Sequence, residues 1–249
     1  MKKLLLLLLC VPLIGFGQVY IPDTNFKAYL VGEPLINTNG DSEIQQSEAT
    51  AFNGTISCYY MNISDLTGIE NFTALTTLFC YENQLTSLDV SQNTALTTLF
   101  CDFNQLTSLD VSGATDLYFL QCQSNQLTSL DVRTNTALQY LYCYSNQLTS
   151  LDVRNGNNVN FAYFNATVNP NLSCISVDDS SWSTANWTNI DPQHYFSNNC
   201  PPSAIEEHTT NKDLLKVTDL LGRETKGTKN EPLFYIYDDG TVEKRIVIE

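Results

Sequence analysis

The sequence predicts a mostly-β leucine-rich-repeat solenoid: a parallel sheet on its concave face, an irregular convex side, a small helical cap in front and a small β unit behind. Three observations predict it. Four 21-residue segments follow one another without insertion: LTTLFCYENQLTSLDVSQNTA from Leu75, LTTLFCDFNQLTSLDVSGATD from Leu96, LYFLQCQSNQLTSLDVRTNTA from Leu117 and LQYLYCYSNQLTSLDVRNGNN from Leu138. Each carries the pattern LxxLxCxxNxL, the spacing of a leucine-rich repeat, in which a short strand is followed by a return segment. The flanking copies are atypical, as terminal repeats are: ISCYYMNISDLTGIENFTA sets Ile56 and Cys58 22 residues ahead of Leu78 and Cys80, and the period decays after Tyr163. One coil of this kind cannot bury its apolar edge alone, so the copies must stack.

Taken in order, residues 1–17 read as a signal peptide. Lys2 and Lys3 open it, Leu4 to Ile14 form the apolar run, and Gly15-Phe16-Gly17 is the small-x-small cleavage site, so the mature chain begins at Gln18. That run is too short for a transmembrane helix, and no later stretch is long enough. Net charge is −15, unevenly spread: residues 18–207 hold three basic residues (Lys27, Arg133, Arg154) against nineteen acidic ones. A body of this sign repels phosphate backbones, which argues against nucleic-acid partners.

Residues 18–52 are expected to form an N-terminal cap. Asp23-Thr24-Asn25 ahead of FKAYL reads as a helix start. The next stretch, Asn37 to Glu48, aligns with an EF-hand loop. Asn37, Asn39 and Asp41 take the first, third and fifth ligand positions, Glu43 offers a carbonyl and Glu48 closes with a bidentate carboxylate, for a structural calcium ion. Against this, Asn37 replaces the usual Asp and Ser42 the usual Gly. The other reading is a polar turn followed by a helix from about Ser47.

Within the repeats, residues 53–172, strand alternation points Leu75, Leu78 and Cys80 inward. Stacking then makes columns: Leu78, Leu99, Leu120 and Leu141; Cys58, Cys80, Cys101, Cys122 and Cys143; Asn83, Asn104, Asn125 and Asn146 at the corner, where amides can satisfy buried backbone groups. On the return segment Leu85, Leu88 and Val90 point in, while the Asp at 89, 110, 131 and 152 points out. The cysteine column lacks a base for catalysis, since His194 and His208 stand outside the repeats. Its spacing diverges from a tetrahedral zinc site. In-register parallel strands also hold Cβ atoms too far apart for disulfides. The thiols therefore read as small buried hydrophobes. The Asp column either binds calcium between coils or accepts local backbone N–H groups, and no metal is assigned there.

The exposed strand positions are the most informative. They collect Tyr59, Tyr60, Phe79, Tyr81, Phe100, Phe103, Tyr118, Phe119, Tyr140, Tyr142 and Tyr144, joined by Phe161 and Tyr163 if the pattern holds one coil further. That is about half of the 25 Phe and Tyr residues. An aromatic patch of this density marks a ligand-binding surface for a protein or glycan. Three other readings stand beside it: aromatic pairs that stabilise the sheet alone, a self-association face, or a face covered by the C-terminal tail.

Residues 173–202 read as an irregular C-terminal cap in which Trp182 and Trp187 cover the last apolar edge, with Cys174 and Cys200 paired as a disulfide. Pro201-Pro202 leads into a linker (203–212) and a small β unit (213–249) whose strands break at Asp239-Gly240.

The NQLTSLDVS repeats resemble those of internalin-like bacterial surface proteins, especially the variety common in secreted proteins of Bacteroidetes. The tail resembles the C-terminal sorting domain of the type IX secretion system. DLLGRE (Asp219 to Glu224), FYIYDDGTVEKR (Phe234 to Arg245) and the terminal IVIE carry that match, with Asp219, Gly222, Arg223, Gly240 and Lys244 as signal residues. The resemblance implies the type IX machinery as a partner, and release outside the cell or attachment to the outer surface of the outer membrane. No nucleophile–base pair or paired acids suggest an enzyme. Two function classes remain: a secreted or cell-surface recognition module, or a structural protein whose aromatic face is an assembly interface.

Overall fold

A computed structural model describes residues 17–201, 214–218, 225, 232–237 and 242–246; residues 1–16 of the signal segment (1–17) and the linker (203–212) lie outside them. The chain divides into two compact units, one through residue 203 and one from 204 onward.

The first unit opens with helix α1 (Thr24–Gly32). Its N-cap is Asp23, whose Oδ1 accepts the N–H groups of Asn25 at 2.9 Å and Phe26 at 3.0 Å. The second oxygen accepts from Ser64 N at 2.8 Å and so ties the cap to the first coil. Phe26 and Leu30 lie on the helix face turned to the core and are fully buried. Helix α2 (Gln46–Ala51) follows.

Eleven three-residue strands then build the solenoid and its end: β1 (Thr55–Ser57), β2 (Thr77–Phe79), β3 (Ser87–Asp89), β4 (Thr98–Phe100), β5 (Ser108–Asp110), β6 (Phe119–Gln121), β7 (Ser129–Asp131), β8 (Tyr140–Tyr142), β9 (Ser150–Asp152), β10 (Tyr163–Asn165) and β11 (Cys174–Ser176). After helix α3 (Ser180–Asn186) comes one more, β12 (Tyr195–Ser197). The concave sheet is parallel and runs β1-β2-β4-β6-β8-β10. The expected Leu and Cys columns are buried, and all five column thiols are free.

The corner asparagines bridge coils as their position demands. Asn104 Nδ2 donates to Cys80 O at 3.0 Å and Cys101 O at 3.1 Å, while its Oδ1 accepts from Leu85 N at 3.1 Å. Asn125 and Asn146 repeat the arrangement, and Asn169 extends it by one coil. Each outward Asp accepts the N–H two residues on, Asp89 from Ser91 and Asp110 from Ser112 at 2.8 Å.

The return segments also form ladders, but in two pieces: β3-β5, and β7-β9-β11-β12. One position beside the break departs from the repeat. Asn93 donates to Ile69 O and Phe72 O, and Asn135 to Val111 O and Ala114 O; the equivalent position between them is Ala114. In the same coil, a Cβ at Gly113 would lie 1.7 Å from Ser91 O. A groove of about 850 Å³ is lined by residues of β3, β5 and β7.

The C-terminal cap is more regular than expected, because β11 and β12 carry the return-side ladder onward. Trp187 stacks on Phe164 with centroids 4.2 Å apart, and Trp182 meets Trp187 edge-on at 5.9 Å. Cys174 and Cys200 are disulfide-bonded.

The second unit is an antiparallel sheet, β13 (Leu214–Thr218), β14 (Pro232–Tyr237) and β15 (Val242–Ile246), in that order. Asp219, Gly222, Arg223 and Gly240 lie outside the described residues, while Lys244 pairs with Phe234 across β14 and β15. No described helix is long and apolar enough to cross a membrane.

Candidate functional site

The concave face is built from two outward columns. One is Thr55, Thr77, Thr98, Phe119, Tyr140 and Tyr163; the other is Ser57, Phe79, Phe100, Gln121, Tyr142 and Asn165. Aromatics switch column midway, and the rings bridge the switch diagonally. Phe79 meets Phe100 at 4.9 Å between centroids, Phe100 meets Phe119 at 5.1 Å, and Phe119 stacks on Tyr140 at 4.8 Å and on Tyr142 at 5.6 Å. Tyr142 then stacks on Tyr163 at 4.5 Å. A continuous path of ring contacts thus crosses five strands. Tyr118 joins its edge, 5.3 Å from Tyr140. These rings are half-buried by one another, with Tyr118 the most open at 40% exposed.

A second group stands at the cap end. Tyr59 stacks on Tyr81 at 4.6 Å, and Tyr60 meets both edge-on. The Tyr60 hydroxyl donates to Glu82.

Three of the expected residues depart from the stripe. Phe161 packs against Phe164 and Trp187 in the cap interior. The cause is a two-residue lengthening of its coil, which contains a 3-10 turn at Asn158–Asn160; Tyr163 pairs with Tyr140, so Phe161 falls in the inward column headed by Leu75. Phe103 sits at a left-handed turn, φ 51°, with half its surface open and no ring neighbour among the described residues. Tyr144 likewise has no ring contact among the described residues.

Two polar residues on this face escaped the sequence reading. Asp102 and Gln123 occupy the column of Tyr81 and Tyr144, yet they are only 6% and 5% exposed. Asp102 Oδ1 and Gln123 Oε1 accept no hydrogen bond. Burial pushes the Asp102 carboxyl up to about 6, and the nearby Glu82 charge adds to the shift. A small polar residue between large rings in one column is the signal that could have found them.

The EF-hand-like loop does not fit a calcium cage. Glu48, the intended closing ligand, spends Oε1 on Thr38 N at 2.8 Å and Asn39 N at 3.1 Å, and Oε2 on Gln45 N at 2.9 Å. Burial opposes its ionisation, but these N–H groups and the Thr38 hydroxyl hold its carboxyl below the usual range. Asn37 donates to Val31 O and Asp41 O, and its Oδ1 accepts from Gly40 N. Asn39 Oδ1 accepts from Asp41 N, Asp41 Oδ1 accepts from Glu43 N, and the Glu43 side chain pairs with Lys27 at 2.7 Å. Gly40, φ 71°, makes the turn that Ser42 lacks. The loop closes on itself, the polar turn of the second reading.

The remaining reactive groups are engaged elsewhere. Burial pushes the Cys58 and Cys143 thiols up to about 12 and the other three column thiols well above their ordinary value. His194 accepts from Asp191 N through Nδ1 and lies 3.2 Å from Asn169 O through Nε2, where it braces the cap.

No protein-family model matches the chain. A stretch of 75 residues, 30% of this chain, is 39% identical to internalin J of Listeria monocytogenes and spans 8% of that protein's length. The repeats are internalin-like. The functional domain of InlJ from the same bacterium, which includes a cysteine ladder, shares 36% identity at a TM-score of 0.49, over 63% of this chain and 36% of that one. Two further Listeria structures, internalin C2 and InlF, share 19% identity each, with TM-scores of 0.40 and 0.38; they cover 74% and 71% of this chain and 98% and 56% of their own.

Proposed function

We propose that the protein is a secreted or cell-surface binding module that recognises an extracellular protein or glycan through its concave aromatic face, and that type IX secretion delivers it. The path of ring contacts from Phe79 to Tyr163 carries this reading. Such side chains offer large, flat contact area and lose little conformational freedom on binding. Internalin-like repeat domains are typically protein-binding surface modules, which supports the same reading.

The columns themselves supply a conservative test. Their non-aromatic members are Thr in one column and Ser, Gln and Asn in the other, so Phe119→Thr, Tyr140→Thr, Phe100→Gln and Tyr142→Gln each introduce a residue that the column already accepts. The mature chain and this variant are compared by circular dichroism and sedimentation, then applied to intact cells and a glycan array. Binding by the parent alone supports recognition. A parent that only dimerises, with the dimer lost in the variant, makes the stripe an assembly face. Export has its own readout: without residues 213–249 the product should be retained behind the outer membrane on fractionation.

A further inference from the structure

The cap end of the concave face presents its rings differently from the stripe. Along the stripe the rings cover one another's faces, as Tyr142 is covered by Phe119 and Tyr163. At the cap end Tyr59 and Tyr81 stack with their planes 5° apart, and Tyr60 stands nearly perpendicular to both. The Tyr60 centroid is almost equally far from the two, at 6.0 Å and 5.8 Å. An edge aimed into one ring would leave the other much farther away, and rings meeting edge to edge at this distance would overlap. Tyr60 therefore lays one face across the edges of both, a favourable contact with each. Its other face is open, in keeping with 61% exposure.

Two neighbours give that open face its character. Tyr60, Glu82 and Phe103 take the same corner position on successive coils, each left-handed, with φ of 56°, 52° and 51°. Tyr60 N donates to Tyr81 O, Glu82 N to Asp102 O and Phe103 N to Gln123 O. Glu82 is thus one strand spacing, about 4.8 Å along the ladder, from an exposed aromatic residue on either side. Its Oε1 accepts the Tyr60 hydroxyl, and its Oε2 accepts from no described residue. A phenol that donates to a carboxylate is polarised, which leaves its ring richer in electrons. No cation of the first unit answers this charge. Its basic residues beyond the signal segment are Lys27, paired with Glu43, and Arg133 and Arg154, paired with Asp131 and Asp152.

An open, electron-rich ring face beside an uncompensated carboxylate fits a cation. A sugar ring can lie on Tyr60, but it leaves the charge as it is. A quaternary ammonium meets the ring and has no N–H for Oε2. The head of a lysine or arginine supplies the charge and the donor together. We infer that the Tyr60–Glu82 corner seats a basic side chain presented by a protein partner, with Phe103 an apolar contact for its stem. This rests on the concave-face reading and narrows the partner from protein or glycan to a protein with an exposed basic residue.

The test uses the full mature chain at pH 7.5 and constant ionic strength, with three probes followed by NMR: acetyl-lysine-methylamide, its neutral Nε-acetylated form, and choline. The lysine probe should shift Tyr60, Glu82 and Phe103 saturably, with the neutral form at least about fivefold weaker and choline weaker than lysine. Glu82→Gln keeps an acceptor for the Tyr60 hydroxyl without the charge. Tyr60→Asn removes the ring with a residue that tolerates the left-handed backbone. Both should fold normally, and each should weaken the lysine response about two- to fivefold. Equal binding by either variant, equal binding by the neutral form, stronger binding by choline, or no shift up to about 200 mM lysine probe overturns the inference. Any of these, with cell binding still lost in the stripe variant, leaves the concave-face reading intact. Lysine binding at the corner, with cell binding undiminished in both the stripe variant and Tyr60→Asn, overturns the concave-face reading instead.

Discussion

At the residue scale, the corner asparagines show how one side chain holds two coils. Asn104 satisfies carbonyls of its own coil and the one before it, and accepts from Leu85 N. We expect Asn104→Ala to cost about 3 kcal/mol or more in urea unfolding, since it strands several buried backbone groups at once. This column was legible because a polar residue repeated every 21 positions beside buried ones has only one use. Asp102 was not, because alternation gives a side chain's face and not its depth. Its stability signature is opposite to that of most acids. A carboxyl raised on folding favours the folded state below its unfolded value, and that contribution is lost as pH rises toward about 6. Asp102→Asn should therefore raise stability at pH 7.5, by about 1–2 kcal/mol, and make little difference at pH 4. Thermal melts at the two pH values check this.

At the scale of single elements, the loop at residues 37–48 and the coil at Gly113 each depend on a local detail. Calcium was a reasonable expectation from ligand types alone, but the same oxygens can serve the loop's own N–H groups, and Glu48 does so as the third residue of α2. We expect neither calcium nor EDTA to move the melting temperature, and Glu48→Gln to lower stability by roughly 1 kcal/mol or more. Glu48, Asp23 and Asp191 all have lowered carboxyl values, so their stabilising effect should hold above pH 4–5 and be lost on further acidification. Gly113→Ala should destabilise by about 2 kcal/mol or more in chemical denaturation, since its Cβ would meet the Ser91 backbone and not a movable side chain. Phe161 illustrates a different limit. A fixed period assigns it to the open face; two added residues ahead of it, which no spacing rule announces, turn it inward.

At the scale of the whole molecule, each coil binds mainly its neighbours, so stability is a sum of local interfaces and the ends are the weakest points. One end is closed by the cap that Asp23 pins to Ser64, the other by a disulfide that spans 26 residues. Closing a loop of that length is worth roughly 3–4 kcal/mol in the unfolded-chain account, so reduction should lower the melting temperature and loosen the cap first. Hydrogen exchange under reducing conditions would show β11 and β12 losing protection ahead of β4 and β6.

One molecule thus carries a bonded cysteine pair at its rim and five bare thiols sealed within. An oxidant able to make the first would scramble the others if it ever met them. Packing is therefore a chemical screen as well as a source of stability, and a coil that opens for long enough cannot return unchanged. Alkylation of each thiol should time the opening of its own coil, with Cys58 and Cys143 trapped before Cys101, so that the column is a row of clocks set one per turn.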